Sequence, residues 1–416
     1  FMKVLHANKY FFVKGGADRY FLETMDNLTE AGIECVPFSM KHERNQESKF
    51  ESYFVSNADF SKLKFSVEGF QIASRMFYSS EAKKNVEKLI ADEKPDLAHV
   101  HNIYHQLSPS ILVAFKKAKL PVVMTVEDYK LVCPNYLLYT QDRFCEACKK
   151  RKYYQAIHYK CLKDSYMAST LAAFEMWFHK MMGYYERLID VYITPSKFVK
   201  DTLVAWGYPE SKITVLPHFG NYDSFPYSFT YNSQDPYIVF SGRLAPEKGV
   251  KYLVEALKSM PEVKLKICGE GPEEKALRKT VKDYRMRNVE FMGYLGQQDL
   301  SRVIRDGQFV VVPSTFAEPF GLVTTEAFAY GKPVIGARRG GIPEIIEEGK
   351  TGFIFETQNV KDLTEKIKKL WNKPELIMDM GKAARRTVEE EYEPGKHIAA
   401  LKEIYERAMK GKPNNK

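Results

Sequence analysis

The 416-residue sequence contains no run of about 18 consecutive apolar residues, the minimum for a membrane-spanning helix. Its first residues lack the basic-then-apolar pattern of a secretory signal. Cysteine is scarce: six residues in a chain of this length point to reduced thiols rather than a disulfide framework. These absences predict a cytoplasmic setting. Tandem repeats and low-complexity tracts are also missing. The 13% aromatic content is spread along the chain and supplies apolar surface for sizeable cores, which excludes disorder, collagen and coiled coil. No nucleic-acid-binding module and no single dense basic stripe is present, so nucleic acid is not an expected partner. The formal net charge of +9 instead suits a membrane surface, a nucleotide or a phosphorylated substrate.

What is present is alternation. At about 150 residues per domain the length predicts two to three domains. Residues 3–7, 35–38, 97–101, 122–126, 191–194 and 213–216 read as strands, with helical periods over 17–31, 108–118 and 196–206. Two excursions interrupt this pattern, one over 47–89 and one over 133–189. A break rich in Asn, Asp, Ser and Pro separates His218 from Pro236, and βα alternation then restarts. Strands are expected at 237–241, 264–268, 289–292, 309–312, 333–336 and 353–355, with helices at 249–260, 273–285, 297–306, 321–330 and 360–371. A last helix is expected near 396–409. The reading is α/β: an N-terminal Rossmann-like domain over 2–218, a linker over 219–235, a second over 236–392, and a C-terminal helix in 393–416.

Ligands of open α/β sheets bind beyond the carboxyl ends of the strands, so the post-strand loops are where chemistry belongs. The first such loop of the second domain, Ser241–Gly249, brings Arg243 and Lys248 to a helix start beside Gly242, a combination suited to a diphosphate. Alone it is equally compatible with a turn carrying two solvated charges. Gly269-Glu270-Gly271 is a tight strand-to-helix turn, with Glu274 where a dinucleotide fingerprint would need a third glycine. Glu318 and Glu326 straddle a helix start eight residues apart, up to about 12 Å at 1.5 Å per residue. That is too far for an acid/base pair but a suitable span for the two ends of a nucleotide sugar. The amides of Gly321, Leu322 and Val323, following Phe320, would face phosphates between them. Gly340-Gly341 opens a further short helix and carries little chemistry of its own.

In this order and spacing, Ser241–Gly249, Gly269–Pro272, Glu318–Glu326 and Gly340–Glu344 resemble the family-four retaining glycosyltransferases of the GT-B fold. The similarity covers the second domain, with weaker signals in the first. It implies two doubly wound domains facing across a cleft and transfer of a sugar from a nucleotide-diphosphate donor. By the resemblance, Arg243 and Lys248 would hold the donor diphosphate and stabilise the departing nucleotide. Glu318 would bind hydroxyls of the transferred sugar, and Glu326 those of the ribose. Gly242, Gly269, Gly271 and Phe320–Val323 would complete the donor site. Uridine is preferred to guanosine as the base. No catalytic cofactor is required, since cations and helix dipoles can carry the leaving charge, and the sequence has no Asp-x-Asp motif.

In the first domain Lys14-Gly15-Gly16 resembles the family's glycine loop, with Gly16 toward the donor and Gly15 toward the acceptor. His101 ends its strand and could line the acceptor side. His99 and His101 share a strand face, but two histidines make an incomplete metal site, and His99 reads as a buried strand residue. Where the family often has His-Asp, this chain has Glu127-Asp128, leaving Asp128 and Glu127 as acceptor-side candidates and Asp128 as a candidate base. Cys133, Cys145, Cys148 and Cys161 form C-x11-C-x2-C-x12-C, a set suited either to a structural zinc or to four reduced thiols. The basic run 149–152 and the aromatic segment 166–185 suit an interfacial membrane surface or a buried helix with a solvated edge. A weaker candidate for the same role lies at 62–88. The expected reaction is transfer to a glycan or lipid-linked acceptor hydroxyl by a cytoplasmic, peripherally membrane-associated enzyme. The alternatives are a nucleotide-sugar epimerase and a non-catalytic nucleotide-sugar-binding subunit.

Overall fold

The computed structural model describes residues 2–57, 74–230, 234–371 and 373–411. The chain divides into two compact units: 1–137, 146–219 and 394–416 form the first, and 138–145 with 220–393 form the second.

The first eight strands are β1 (Lys3–Ala7), β2 (Glu34–Phe38), β3 (Leu97–Val100), β4 (Val122–Thr125), β5 (Tyr139–Thr140), β6 (Arg143–Phe144), β7 (Val191–Thr194) and β8 (Ile213–Val215). All but β5 and β6 build a parallel sheet of order β2-β1-β3-β4-β7-β8. Its helices include α1 (Gly16–Glu30), α2 (Ser80–Glu93), α3 (Ser110–Lys117), α4 (Tyr166–Met182) and α5 (Lys197–Ala205). The strand order reverses between β1 and β3, which places the crevice of this unit at the loops following those strands.

The second unit carries β9 (Tyr237–Ser241), β10 (Lys264–Cys268), β11 (Val289–Gly293), β12 (Val310–Val312), β13 (Val334–Ala337) and β14 (Gly352–Phe355). They form a second parallel sheet of order β11-β10-β9-β12-β13-β14, the dinucleotide-fold order, with its reversal between β9 and β12. Its helices are α6 (Val250–Leu257), α7 (Glu274–Asp283), α8 (Gln297–Asp306), α9 (Leu322–Ala329), α10 (Val360–Trp371) and α11 (Pro374–Glu391). The central strands are apolar along their whole length because both faces are covered. One face packs Leu253, Leu257 and Ile367, the other Phe328, Ala384 and Val388.

The helices α2 and α11 go beyond the sequence reading, which left 80–89 in an irregular excursion and 374–391 unassigned. The buried side chains of α2, namely Ala82, Val86 and Leu89, lie one turn apart behind a Ser79 cap that accepts from the Ala82 amide at 3.2 Å. The last helix, α12 (Pro394–Lys410), belongs to the first unit. Its stripe of Ile398, Leu401, Ile404 and Tyr405 packs on Val4, Leu97, Val123 and Ile193 of that sheet. Burial of each such side chain contributes on the order of 1.5–3 kcal/mol. The hairpin β5–β6, read from sequence as part of the first domain's insertion, belongs to the second unit. There Asp142 accepts from Lys251 and from the Tyr252 hydroxyl, and its carbonyl accepts from Gln358 at 2.6 Å. The candidate surface at 62–88 lies partly outside the described residues. Among these, no helix is long and apolar enough to cross a membrane.

Candidate active site

Four loops leave the carboxyl edges of β9, β10, β12 and β13, and they carry the motifs singled out in the sequence. The loops after β9 and β10 interlock through backbone bonds: the Gly242 amide donates to the Cys268 carbonyl at 3.0 Å and the Leu244 amide to that of Glu270 at 2.9 Å. A β-carbon on Gly269, whose φ is +140°, would lie 2.0 Å from the Gly242 carbonyl oxygen, so only glycine allows this approach. The loops after β9 and β12 are joined likewise, with the Thr315 amide donating to the Glu247 carbonyl at 2.8 Å.

That junction brings Lys248 to Glu318, 70 residues later. Lys248 Nζ donates to Glu318 Oε1 at 2.7 Å and lies 4.9 Å from the Phe316 ring centroid. The Ser314 hydroxyl donates to the same oxygen at 2.7 Å, and Oε2 has no partner among the described residues. The pair is half-sheltered, with side chains 25% and 13% exposed. Arg243 is exposed, and its guanidinium has no hydrogen-bond or ion-pair partner among the described residues. The site therefore holds one cation committed to a carboxylate, one uncommitted cation, and a carboxylate oxygen open to a donor. All of them lie at the strand-order reversal.

Gly340 and Gly341, which the sequence left without chemistry, pack against the Glu318 backbone. The Gly341 amide donates to the Glu318 carbonyl at 2.8 Å, and at Gly340 (φ +64°) a β-carbon would lie 2.4 Å from the same oxygen. Arg339 beside them was not identified by sequence reasoning: its Nε is buried without a partner among the described residues, and its guanidinium lies 5.2 Å from the Phe144 ring. Gly321 precedes α9 in a left-handed conformation (φ +114°), Leu322 and Val323 occupy its first turn, and Phe320 packs edge-on against Tyr392. Glu326 is half-buried on the same helix, and Gly271 packs against the Leu244 backbone.

In the first unit Gly15 caps α1 with extended backbone and open space where a side chain would be, and Gly16 begins the helix. Lys14 Nζ donates to the Tyr10 hydroxyl at 2.9 Å. Asp128 accepts from the Lys130 amide at 2.8 Å, and burial raises its carboxyl above the ordinary range. Glu127 bridges two imidazoles, His101 Nδ1 on Oε1 and His218 Nε2 on Oε2, each at 3.2 Å. Its side chain is 2% exposed; burial alone would raise its pKa, but His218 and His101 outweigh it and hold the carboxyl down at about 2. Sequence reasoning missed His218, the last residue of the first domain as read, at the edge of the interdomain break. His99 is fully buried, as expected of a strand histidine.

The family model described as Glycosyltransferase Family 4 matches residues 14–221, half of the chain, and that of Glycosyl transferases group 1 matches 224–387. The chain belongs to glycosyltransferase family 4. Among curated relatives it is 31% identical over 317 residues to the sulfoquinovosyl transferase of Arabidopsis thaliana, covering 72% of this chain and 54% of that protein. It is 33% identical over 173 residues to the N-acetyl-alpha-D-glucosaminyl L-malate synthase of Bacillus anthracis, covering 41% of this chain and 45% of that one. The chain thus spans about half the length of these relatives. Solved structures agree in fold. Sucrose-phosphate synthase of Thermosynechococcus elongatus aligns with a TM-score of 0.73 at 17% identity, covering 99% of this chain and 100% of that one. Anabaena Alr3699/HepE, solved with UDP and glucose, aligns at 0.69 and 18%, covering 98% and 100%. Two parallel-sheet Rossmann-like units with these neighbours make the architecture GT-B.

Proposed function

We propose that the protein is a retaining glycosyltransferase that moves a sugar from a nucleoside-diphosphate donor, UDP-sugar for preference, to a hydroxyl of a glycan or lipid-linked acceptor. The observation that carries this reading is the Lys248–Glu318 pair beside the uncommitted Arg243 at the strand reversal of the second unit. Two cations there meet the charge that grows on the departing diphosphate, so they stabilise the transition state more than the bound donor. Glu318 accepts hydrogen bonds from hydroxyls of the transferred sugar, and Glu326 from those of the ribose. The C1–O bond to the diphosphate breaks, the acceptor oxygen bonds C1 on the same face, and its proton passes to the leaving phosphate. No protein nucleophile is assigned, and no catalytic metal is needed. The solved neighbours that hold UDP support the preference for uridine.

The acceptor is assigned to the first unit, to Gly15, His101, Glu127 and Asp128. A peripheral location on a cytoplasmic membrane face is supported by the outer side of α4, where Phe174 and Trp177 stack and remain 54% and 45% exposed near the basic run 149–152. The presence of four cysteines, Cys133, Cys145, Cys148 and Cys161, around a central C-x2-C supports a structural zinc by ligand count; none of the six cysteines forms a disulfide.

Incubating the protein with UDP- and GDP-sugars and following products by mass spectrometry and proton NMR tests the reading. Released nucleoside diphosphate together with sugar of unchanged anomeric configuration is expected. An isomerised donor would mark an epimerase, and an untouched donor in the presence of candidate acceptors would mark a binding subunit.

A further inference from the structure

His6, His99 and His101 lie on adjacent strands, with His6 and His99 in register between β1 and β3 and His101 two residues on, on the same face. All three are buried, and each offers a ring nitrogen within 4.8 Å of those of the other two. Among the described residues neither nitrogen of His6 has a partner, nor does Nε2 of His101. Buried polar atoms are ordinarily paired, so three orphan nitrogens in one core need a physical reason.

We infer that His6, His99 and His101 form a three-imidazole site for a divalent transition-metal ion of the zinc class within the first unit. The atoms around them already act as supports. His101 donates from Nδ1 to Glu127, leaving the Nε2 lone pair for the ion, which is how metal-binding histidines are oriented. His99 holds the Tyr405 hydroxyl at Nδ1 (2.7 Å) and the Thr125 hydroxyl at Nε2 (2.8 Å), so whichever nitrogen turns to the ion, the other keeps a partner. The bridging Glu127 carboxylate places negative charge next to a dication. Three imidazole nitrogens are a donor set that zinc accepts, with cobalt(II) as its coloured stand-in. The ion would tie together the ends of β1 and β3, from which the loops bearing Asn8 and Asn102 depart; Asn8 Oδ1 already accepts from the Asn102 amide at 3.1 Å. The site shares His101 and Glu127 with the acceptor side proposed above, and its test reads metal uptake rather than sugar transfer.

The test uses the full chain with Cys145→Ser and Cys148→Ser together, which removes the thiolate candidate. About one zinc per chain by elemental analysis is expected, and after exchange with Co2+ a visible absorption without a thiolate charge-transfer band. Adding His6→Ala should abolish both. Adding His6→Cys should instead keep the metal and introduce that band, which decides the matter even if the alanine variant fails to fold. A cysteine-depleted chain that takes up neither ion, or a His6→Cys chain whose cobalt spectrum lacks the thiolate band, overturns the assignment.

Discussion

Replacing Lys248 by alanine is expected to lower sugar transfer by about 100- to 1,000-fold, the range for deleting one pre-organised donor at a developing charge. Folding should change little. Lys248 is a quarter exposed, and its partner Glu318 keeps the Ser314 hydroxyl after the substitution. The stability cost is therefore on the order of 1 kcal/mol, that of a modest hydrogen bond in partly solvated surroundings. Glu318→Ala should behave alike for a different reason: it removes the acceptor for the sugar hydroxyls and releases Lys248 from its set position. Steady-state transfer rates compared with melting temperatures check both variants. Near-normal turnover in either would remove the donor site from this edge of the second sheet.

The opposite pattern is expected at Glu175, on the inner side of α4. Its carboxylate is fully buried, 2.7 Å from Lys130 Nζ, with His105 and His179 at 3.3 and 3.5 Å. Burial alone would push its pKa up, yet Lys130 and His105 outweigh it and hold the carboxyl far below the ordinary range. Glu175→Ala leaves Lys130 buried without a counter-charge and should cost about 3–5 kcal/mol, while Glu175→Leu with Lys130→Met should recover much of the loss. The sign with pH follows from the depressed carboxyl: the stabilisation is complete above the unfolded-state carboxylate range and fades as pH falls below it. Denaturant melts of the single and double variants between neutral and acid pH check this. A single variant as stable as the parent would mean that the ion pair does not anchor the helix.

The sequence makes local features legible and leaves distant pairings obscure. Strands β9, β12, β13 and β14 are short apolar runs and β10 alternates Lys with apolar residues, so period and punctuation mark them well. The helix α11 went unread because its buried side carries Gly381 and Arg385 among its apolar residues. Arg385 is buried through bonds to the carbonyls of Ala329 at 2.7 Å and Tyr222 at 3.1 Å, partners no local pattern announces. The site divides in the same way. Each loop motif could be found alone, but the contact of Lys248 with Glu318 spans 70 residues. His6 was invisible as a neighbour of His99, because only strand pairing sets them side by side. The departure at Glu127 from the family's histidine gains a meaning in three dimensions, as a bridge between His101 and His218.

The most direct test is the melting temperature of the intact chain in the presence of UDP, GDP and their sugars. A ligand that binds only the native state stabilises it by about 2.7 kcal/mol at a hundredfold excess over its dissociation constant. One nucleotide class, UDP for preference, should raise the melting temperature of the wild type clearly, and far less when Arg243→Ala and Lys248→Ala are combined. No shift with any nucleotide, or an undiminished shift in that double variant, would contradict a donor site built on these two cations.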